Sequence, residues 1–212
     1  MKWIASTAAL MLLSACGSEP AIPPAENRAA NVGAETPAAP PAPPAAEDKS
    51  ALAPLTAEGW GPLRIGMTLA EVTAALGPDS DPEAVGGPDP ESCDQFRPAR
   101  APAGMLVMIE DGRLTSIALI DASAIKSDRG LGIGATAADV EKTYGETLIR
   151  EPHKYQDPPA AYLTWWAKGR KGKEIWVRDS EARGIRYELD GRGKVESVHA
   201  GGPSIQYVEG CA

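Results

Sequence analysis

A chain of 212 residues with 29 acidic and 21 basic side chains carries a net charge of −8, and a surface this acidic argues against a nucleic-acid partner. It holds two histidines and three cysteines, so little material is present for imidazole or thiolate chemistry.

The chain opens with Lys2, an apolar run from Ile4 to Leu13, and then Leu13-Ser14-Ala15-Cys16. The run is shorter than the roughly 20 residues a membrane-spanning helix needs. Residues 1–15 resemble a bacterial lipoprotein signal, in which the closing cysteine, here Cys16, is acylated and becomes the new N-terminus. That resemblance implies a membrane partner through the lipid on Cys16. Gly17-Ser18 lacks the Asp associated with inner-membrane retention, which implies an outer-membrane anchor facing the periplasm.

Residues 16–54 are mainly Ala and Pro, including Pro23-Pro24, Pro40-Pro41 and Pro43-Pro44, with hardly any large apolar side chain. Such a composition cannot build a core and predicts a disordered, partly polyproline II tether. Its fully extended reach would be on the order of 100 Å. A spacer role and plain disorder are equally compatible with it.

From Leu55 onward the chain has the size of one domain. Leu63-Arg64-Ile65-Gly66-Met67-Thr68 leads into Leu69–Leu76 and Gly77, and the pattern returns as Leu131-Gly132-Ile133-Gly134-Ala135-Thr136, Ala137–Tyr144 and Gly145. The repetition predicts two tandem helix-plus-antiparallel-sheet units, 55–124 and 125–212, in an α+β domain. Thr68 with Glu71, and Thr136 with Asp139, have capping-box spacing, so both helices are expected to start there. Leu69, Val72 and Leu76 form one apolar stripe, and Ala137, Val140 and Tyr144 the other.

In the first unit Cys93–Arg97, Met105–Ile109 and Leu114–Ile120 read as strands, the last two joined by a turn at Asp111-Gly112. In the second, Tyr162–Ala167 and Glu174–Arg178 read as a hairpin around the basic turn Lys168–Lys173, followed by strands at Ile185–Leu189, Val195–Ala200 and Ile205–Val208. Cys93 and Cys211 are the only thiols once Cys16 is acylated, and an oxidising periplasm predicts one disulfide between them. Closing so long a loop contributes about 4 to 5 kcal/mol in the chain-entropy model.

Adjacent Trp165 and Trp166 must point to opposite faces of a strand, so one packs under the helix and the other faces away. An aromatic-rich open face, with Tyr162, Trp165, Trp166 and Trp176 as candidate contacts, is one reading; a face buried by a loop such as Arg150–Pro159 is the other. Arg170 and Lys171 of the basic turn are further binding candidates, although charged hairpin tips are ordinarily just solvated.

Gly61–Gly77 resembles the signature of small outer-membrane lipoproteins of the SmpA/OmlA type, and is similar to the tandem units of β-lactamase inhibitory protein. The resemblance implies short helices packed on an antiparallel sheet whose aromatic surface binds a protein. Ala135 and Tyr144 depart from the pattern in the second copy. No Gly-x-Ser-x-Gly elbow, His-Glu-x-x-His or closely spaced Cys/His set occurs, so no catalytic residue, metal ligand or cofactor is assigned. The glycines of Gly130–Gly134 have the same turn role in both copies and are read as structural, not phosphate-binding. The expected function is a non-catalytic binding module of the envelope, an assembly accessory or a protein inhibitor, with a protein or envelope component as partner. The alternative is an envelope enzyme using His153 or His199 with scattered acids.

Overall fold

The computed structural model describes residues 53–211, apart from 85 and 122. The segment read as a signal, the expected acylation site Cys16 and nearly all of the expected tether lie outside the described residues. Among those described, no helix is long and apolar enough to cross a membrane.

A two-stranded ribbon, β1 (Gly59–Trp60) and β2 (Leu63–Arg64), leads into helix α1 (Leu69–Leu76). Strands β3 (Cys93–Phe96), β4 (Met105–Glu110) and β5 (Arg113–Leu119) follow. Helix α2 (Ala137–Tyr144) then precedes β6 (Ile149–Pro152), β7 (Ala161–Lys168), β8 (Arg183–Leu189) and β9 (Val195–Gly201). A 3-10 turn, Pro203–Gln206, carries the chain toward its last described residues.

The architecture differs from the expected pair of helix-plus-sheet units. Strands β3 to β9 form one seven-stranded antiparallel sheet in the order β3-β4-β5-β9-β8-β7-β6, and among the described residues only two α-helices, each of eight residues, accompany it. The last strand of each half is the cause: β5 and β9 pair from Ser116↔Gly201 to Leu119↔Val198, leaving no edge between the halves. Two separate sheets would each have exposed an edge of unpaired N–H and C=O groups there.

Both helix starts follow the local chemistry. Thr68 Oγ1 accepts from the Glu71 N–H at 3.3 Å while Glu71 Oε2 accepts from the Thr68 N–H at 2.8 Å. Thr136 and Asp139 repeat this at 3.2 and 3.0 Å. The stripes bury Val72 and Leu76 of α1 and Val140 and Tyr144 of α2, but Leu69 stays 43% exposed. Each helix N-terminus is docked on a hairpin turn: the Leu69 N–H donates to Gly112 O and the Ala137 N–H to Gly193 O. Gly66 and Gly134, both at positive φ, donate to Leu114 O and Val195 O.

The helices and the β1–β2 ribbon cover one face of the sheet. Trp60, Leu114, Ile117, Leu163, Ile185 and Tyr187 form the centre of this core, all essentially inaccessible. Tyr187 Oη lies 3.0 Å from Tyr144 Oη and donates to Ser127 Oγ, so two buried phenols satisfy each other. Burial raises the Tyr144 and Tyr187 pKa values above the ordinary phenol value.

The opposite face is not open. Residues 203–211 run across it, and Ile205 packs with Trp166, Val177 and Ala182 in a second small core. Two expected strands are absent as a result. Ile205–Val208 is the end of the 3-10 turn and its continuation, and Glu174–Arg178 belongs to an irregular loop. The partner of β7 is therefore β8, with Tyr162↔Glu188 and Thr164↔Arg186 opposed, rather than a hairpin arm across the basic turn. Cys93 and Cys211 are joined by a disulfide with Cα atoms 5.5 Å apart, fastening this terminal strap to edge strand β3.

Candidate functional site

The strap covers a polar stripe that follows directly from alternation and register. Residues two apart on a strand share a face. Antiparallel pairing thus puts Tyr162, Glu188 and Ser197 in one row across β7, β8 and β9, and Thr164, Arg186 and His199 in the next. Tyr162 is sandwiched between the Arg186 guanidinium, 3.8 Å from its ring centroid, and the His153 imidazole stacked at 4.7 Å.

Proton positions in this stripe are set by partners that can only donate or only accept. The Tyr155 and Gln156 amides both donate to His153 Nδ1 at 3.0 Å, so the His153 proton sits on Nε2 and is donated to Glu188 Oε1 at 2.9 Å. Ser197 Oγ donates to Glu188 Oε2 at 2.8 Å. With its one proton committed, Ser197 accepts from His199 Nε2–H at 2.9 Å. Desolvation works against the Glu188 carboxylate, but the hydrogen bonds from His153 and Ser197 prevail and hold its pKa below the ordinary value. Desolvation drives His199 down to about 4, opposed by Glu188 and assisted by Arg186.

Serine, histidine and carboxylate meet here in the wrong order for nucleophilic catalysis. A hydrolytic triad needs the serine to donate to histidine and the carboxylate to orient the far imidazole nitrogen. Here the carboxylate takes the serine proton and the histidine donates to serine, so the connectivity is reversed. His153, Glu188 and Glu196 also bring three ligand-type atoms within 4.8 Å of one another. A metal-bound imidazole requires a lone pair on the ligating nitrogen and a proton on the other. His153 has the opposite arrangement, with two amides directed at Nδ1 and the proton on the nitrogen that faces the carboxylates, so the donor set does not fit a metal. The positive ends of both helices are spent on hairpin carbonyls, which removes Gly130–Gly134 as an anion cradle.

The tryptophans separate according to strand geometry. Trp165 turns to the helix face, where its ring lies 5.0 Å from Tyr144 and the Arg129 guanidinium sits 5.2 Å above it. Trp166 turns to the strap and is 8% exposed, and Tyr162 is 4% exposed. Tyr162, Trp165 and Trp166 therefore serve packing and do not share a surface with Trp176. Arg170 donates from Nε to Glu174 O and is half-buried, while Lys171 is exposed.

Trp176 is 49% exposed and stacks on Tyr207 at 6.3 Å with Val208 lining the same cleft, and the preceding residue Ile175 is 60% exposed. Gln206 explains this display. Its Oε1 accepts from the Val177 N–H at 2.8 Å and its Nε2 donates to Val177 O at 2.8 Å and to Pro203 O at 2.9 Å. The side-chain amide thus replaces a neighbouring strand. It pins Val177 inward, fully buried, and leaves its predecessors Ile175 and Trp176 outward. Clefts of about 430, 380 and 590 Å³ adjoin this platform, sharing Tyr207, Trp176 and Arg178 in pairs. Sequence reasoning missed Tyr207, Val208, Ile175 and the Gln206 clamp. A lone amide between the apolar residues Ile205 and Tyr207 was the available signal, but it has no partner until the fold brings Val177 to it.

No protein-family model and no curated protein matches this chain. Among solved structures, an extracellular protein containing an SCP domain, from Bacillus anthracis str. Ames, is similar with a TM-score of 0.38 and 12% identity. The match covers 65% of this chain and 44% of that one, so this chain spans less than half of that protein's length.

Proposed function

We propose that this protein is a non-catalytic binding module of the bacterial envelope, carried on a lipid at Cys16, and that it engages its partner through the Ile175-Trp176-Tyr207-Val208 platform. The carrying observation is the exposure of four large apolar side chains on two segments locked together by Gln206, in a protein whose other aromatics are mostly inside. Large exposed apolar clusters mark interaction sites more often than they mark solvated surface. The resemblance of residues 1–16 to a lipoprotein signal and of Gly61–Gly77 to SmpA/OmlA-type lipoproteins supports the address and the class. The rival reading, an envelope enzyme, draws no support from the Glu188 cluster, whose proton connectivity is reversed for catalysis.

A photocrosslinker placed at Lys171 in living cells tests the proposal. It should give discrete adducts that Trp176→Ser together with Tyr207→Ser removes while the domain stays folded. Adducts unchanged by that pair of substitutions would refute the assigned surface.

A further inference from the structure

The charge pattern around the platform narrows its partner. Lys168, Arg170, Lys171, Lys173 and Arg178 place five cations within eleven residues, with Glu174 the one acid inside that stretch and Asp179, Glu181, Glu110 and Glu209 in the adjoining clefts, in a chain whose net charge is −8. Lys168 is paired with Glu58 at 3.0 Å. Lys171, Lys173 and Arg178 have no ion-pair partner among the described residues, and all three are exposed. Ile175 and Trp176 sit between Lys173 and Arg178, so the most exposed apolar pair is flanked by unpaired cations.

We infer that the 169–178 loop, together with Tyr207, is a docking element for an anionic phospholipid surface. The inference rests on the platform being the binding surface and names what it binds. Trp and Tyr rings settle at the headgroup level because one part of the ring system is apolar and one polar. Lys and Arg beside them gain from the negative surface potential, while an acidic remainder is repelled from it. This combination favours an approach in which the cationic loop leads. The Gln206 clamp fixes the aromatic tip in advance, so little conformational freedom is lost on contact. An acidic protein surface would satisfy the cations, and the test below distinguishes it.

The mature chain, residues 16–212 carrying Cys16→Ser and with the Cys93–Cys211 bond formed, lacks the acyl chain, the apolar run Ile4–Leu13 and Trp3, and so has no confounding anchor or reporter. It should co-sediment with vesicles of phosphatidylethanolamine and phosphatidylglycerol and not with phosphatidylcholine alone, and added salt should release it. Lys171→Glu with Lys173→Glu should weaken partitioning by roughly 25-fold or more, at about fivefold for each cation lost. Trp176→Phe should still bind but lose most of the quenching of tryptophan fluorescence by brominated lipid, since Trp60 and Trp166 are buried and Trp165 faces the helices. Absence of binding to the anionic vesicles at low salt, or binding indifferent to the charge reversal, would overturn the inference. If the vesicles are ignored but Trp176→Ser still abolishes a crosslink to an envelope protein, the lipid partner is wrong and the binding surface stands. If Trp176→Ser alters neither, both fall.

Discussion

Replacing Gln206 by Leu tests the clamp that creates the platform. The substitution keeps the side chain's approximate volume but removes all three hydrogen bonds, leaving the Val177 N–H and C=O without their partner. Each buried backbone group left unpaired costs about 1–3 kcal/mol. The chain can escape that cost by letting the 174–178 segment swing out. It then forfeits the burial of Val177, worth about 2 kcal/mol, together with the net value of the lost bonds. The first route costs about 2–6 kcal/mol for the two groups and the second about 3–6 kcal/mol, so the loss is at least about 2 kcal/mol. For a domain of this size 2 kcal/mol is roughly 4–8 °C in Tm. Urea titration followed by circular dichroism measures the loss, and hydrogen exchange at the Val177 amide locates it. A change below about 0.5 kcal/mol, which is within the range of ordinary surface substitutions, with Val177 still protected, would refute the claim that Gln206 holds the loop.

Other outcomes follow from the same contacts. Cys93→Ser with Cys211→Ser frees a loop of 118 residues and should lower stability by up to about 5 kcal/mol in the chain-entropy limit, with protection lost first in residues 207–211; a urea midpoint equal to that of the oxidised protein would contradict the fastening role. Trp166→Ala should cost about 3–5 kcal/mol while Trp176→Ser stays within about 0.5 kcal/mol, and equal thermal shifts would mean that the two indoles are not on opposite sides of the surface. Acid should weaken the fold in two stages. Between pH 6.5 and about 4 the unfolded chain takes up a proton that folded His199 refuses, so stability falls as the pH is lowered through that window. Glu188, with its pKa depressed, contributes stability above its unfolded value and loses it as the pH drops through the lower folded value. His199→Gln should flatten the first stage in a series of urea midpoints against pH, and an unchanged slope would assign it to other groups.

Much of the local structure was legible because it depends on neighbours in sequence. The Thr68–Glu71 and Thr136–Asp139 caps need only three-residue spacing, and both form as expected. The opposite orientation of Trp165 and Trp166 needs only the period of a strand. The Cys93–Cys211 pairing was legible once Cys16 was set aside as an expected acylation site, and the bond forms. Errors began where a segment's state depends on distant partners. Glu174–Arg178 has strand-like composition, but β8 takes the edge of β7 that this segment would have used. Ile205–Val208 reads as a strand, yet Ile205 packs onto the sheet face beside Trp166 and Val177 and the segment crosses that face as a strap.

Sequence by itself determined where the helices begin and which residues face apart on a strand, since covalent spacing and local hydrogen bonding suffice for these. Tertiary structure alone decided that the halves share one sheet through β5 and β9, and that Tyr162, Trp165 and Trp166 go inside while Trp176 stays out. The physical reason is that sheet edges and faces are completed by groups remote in the chain. Whether an aromatic is core or surface depends on what the fold lays over it: Tyr144 of α2 lies over Trp165, His153 over Tyr162, and the strap over Trp166.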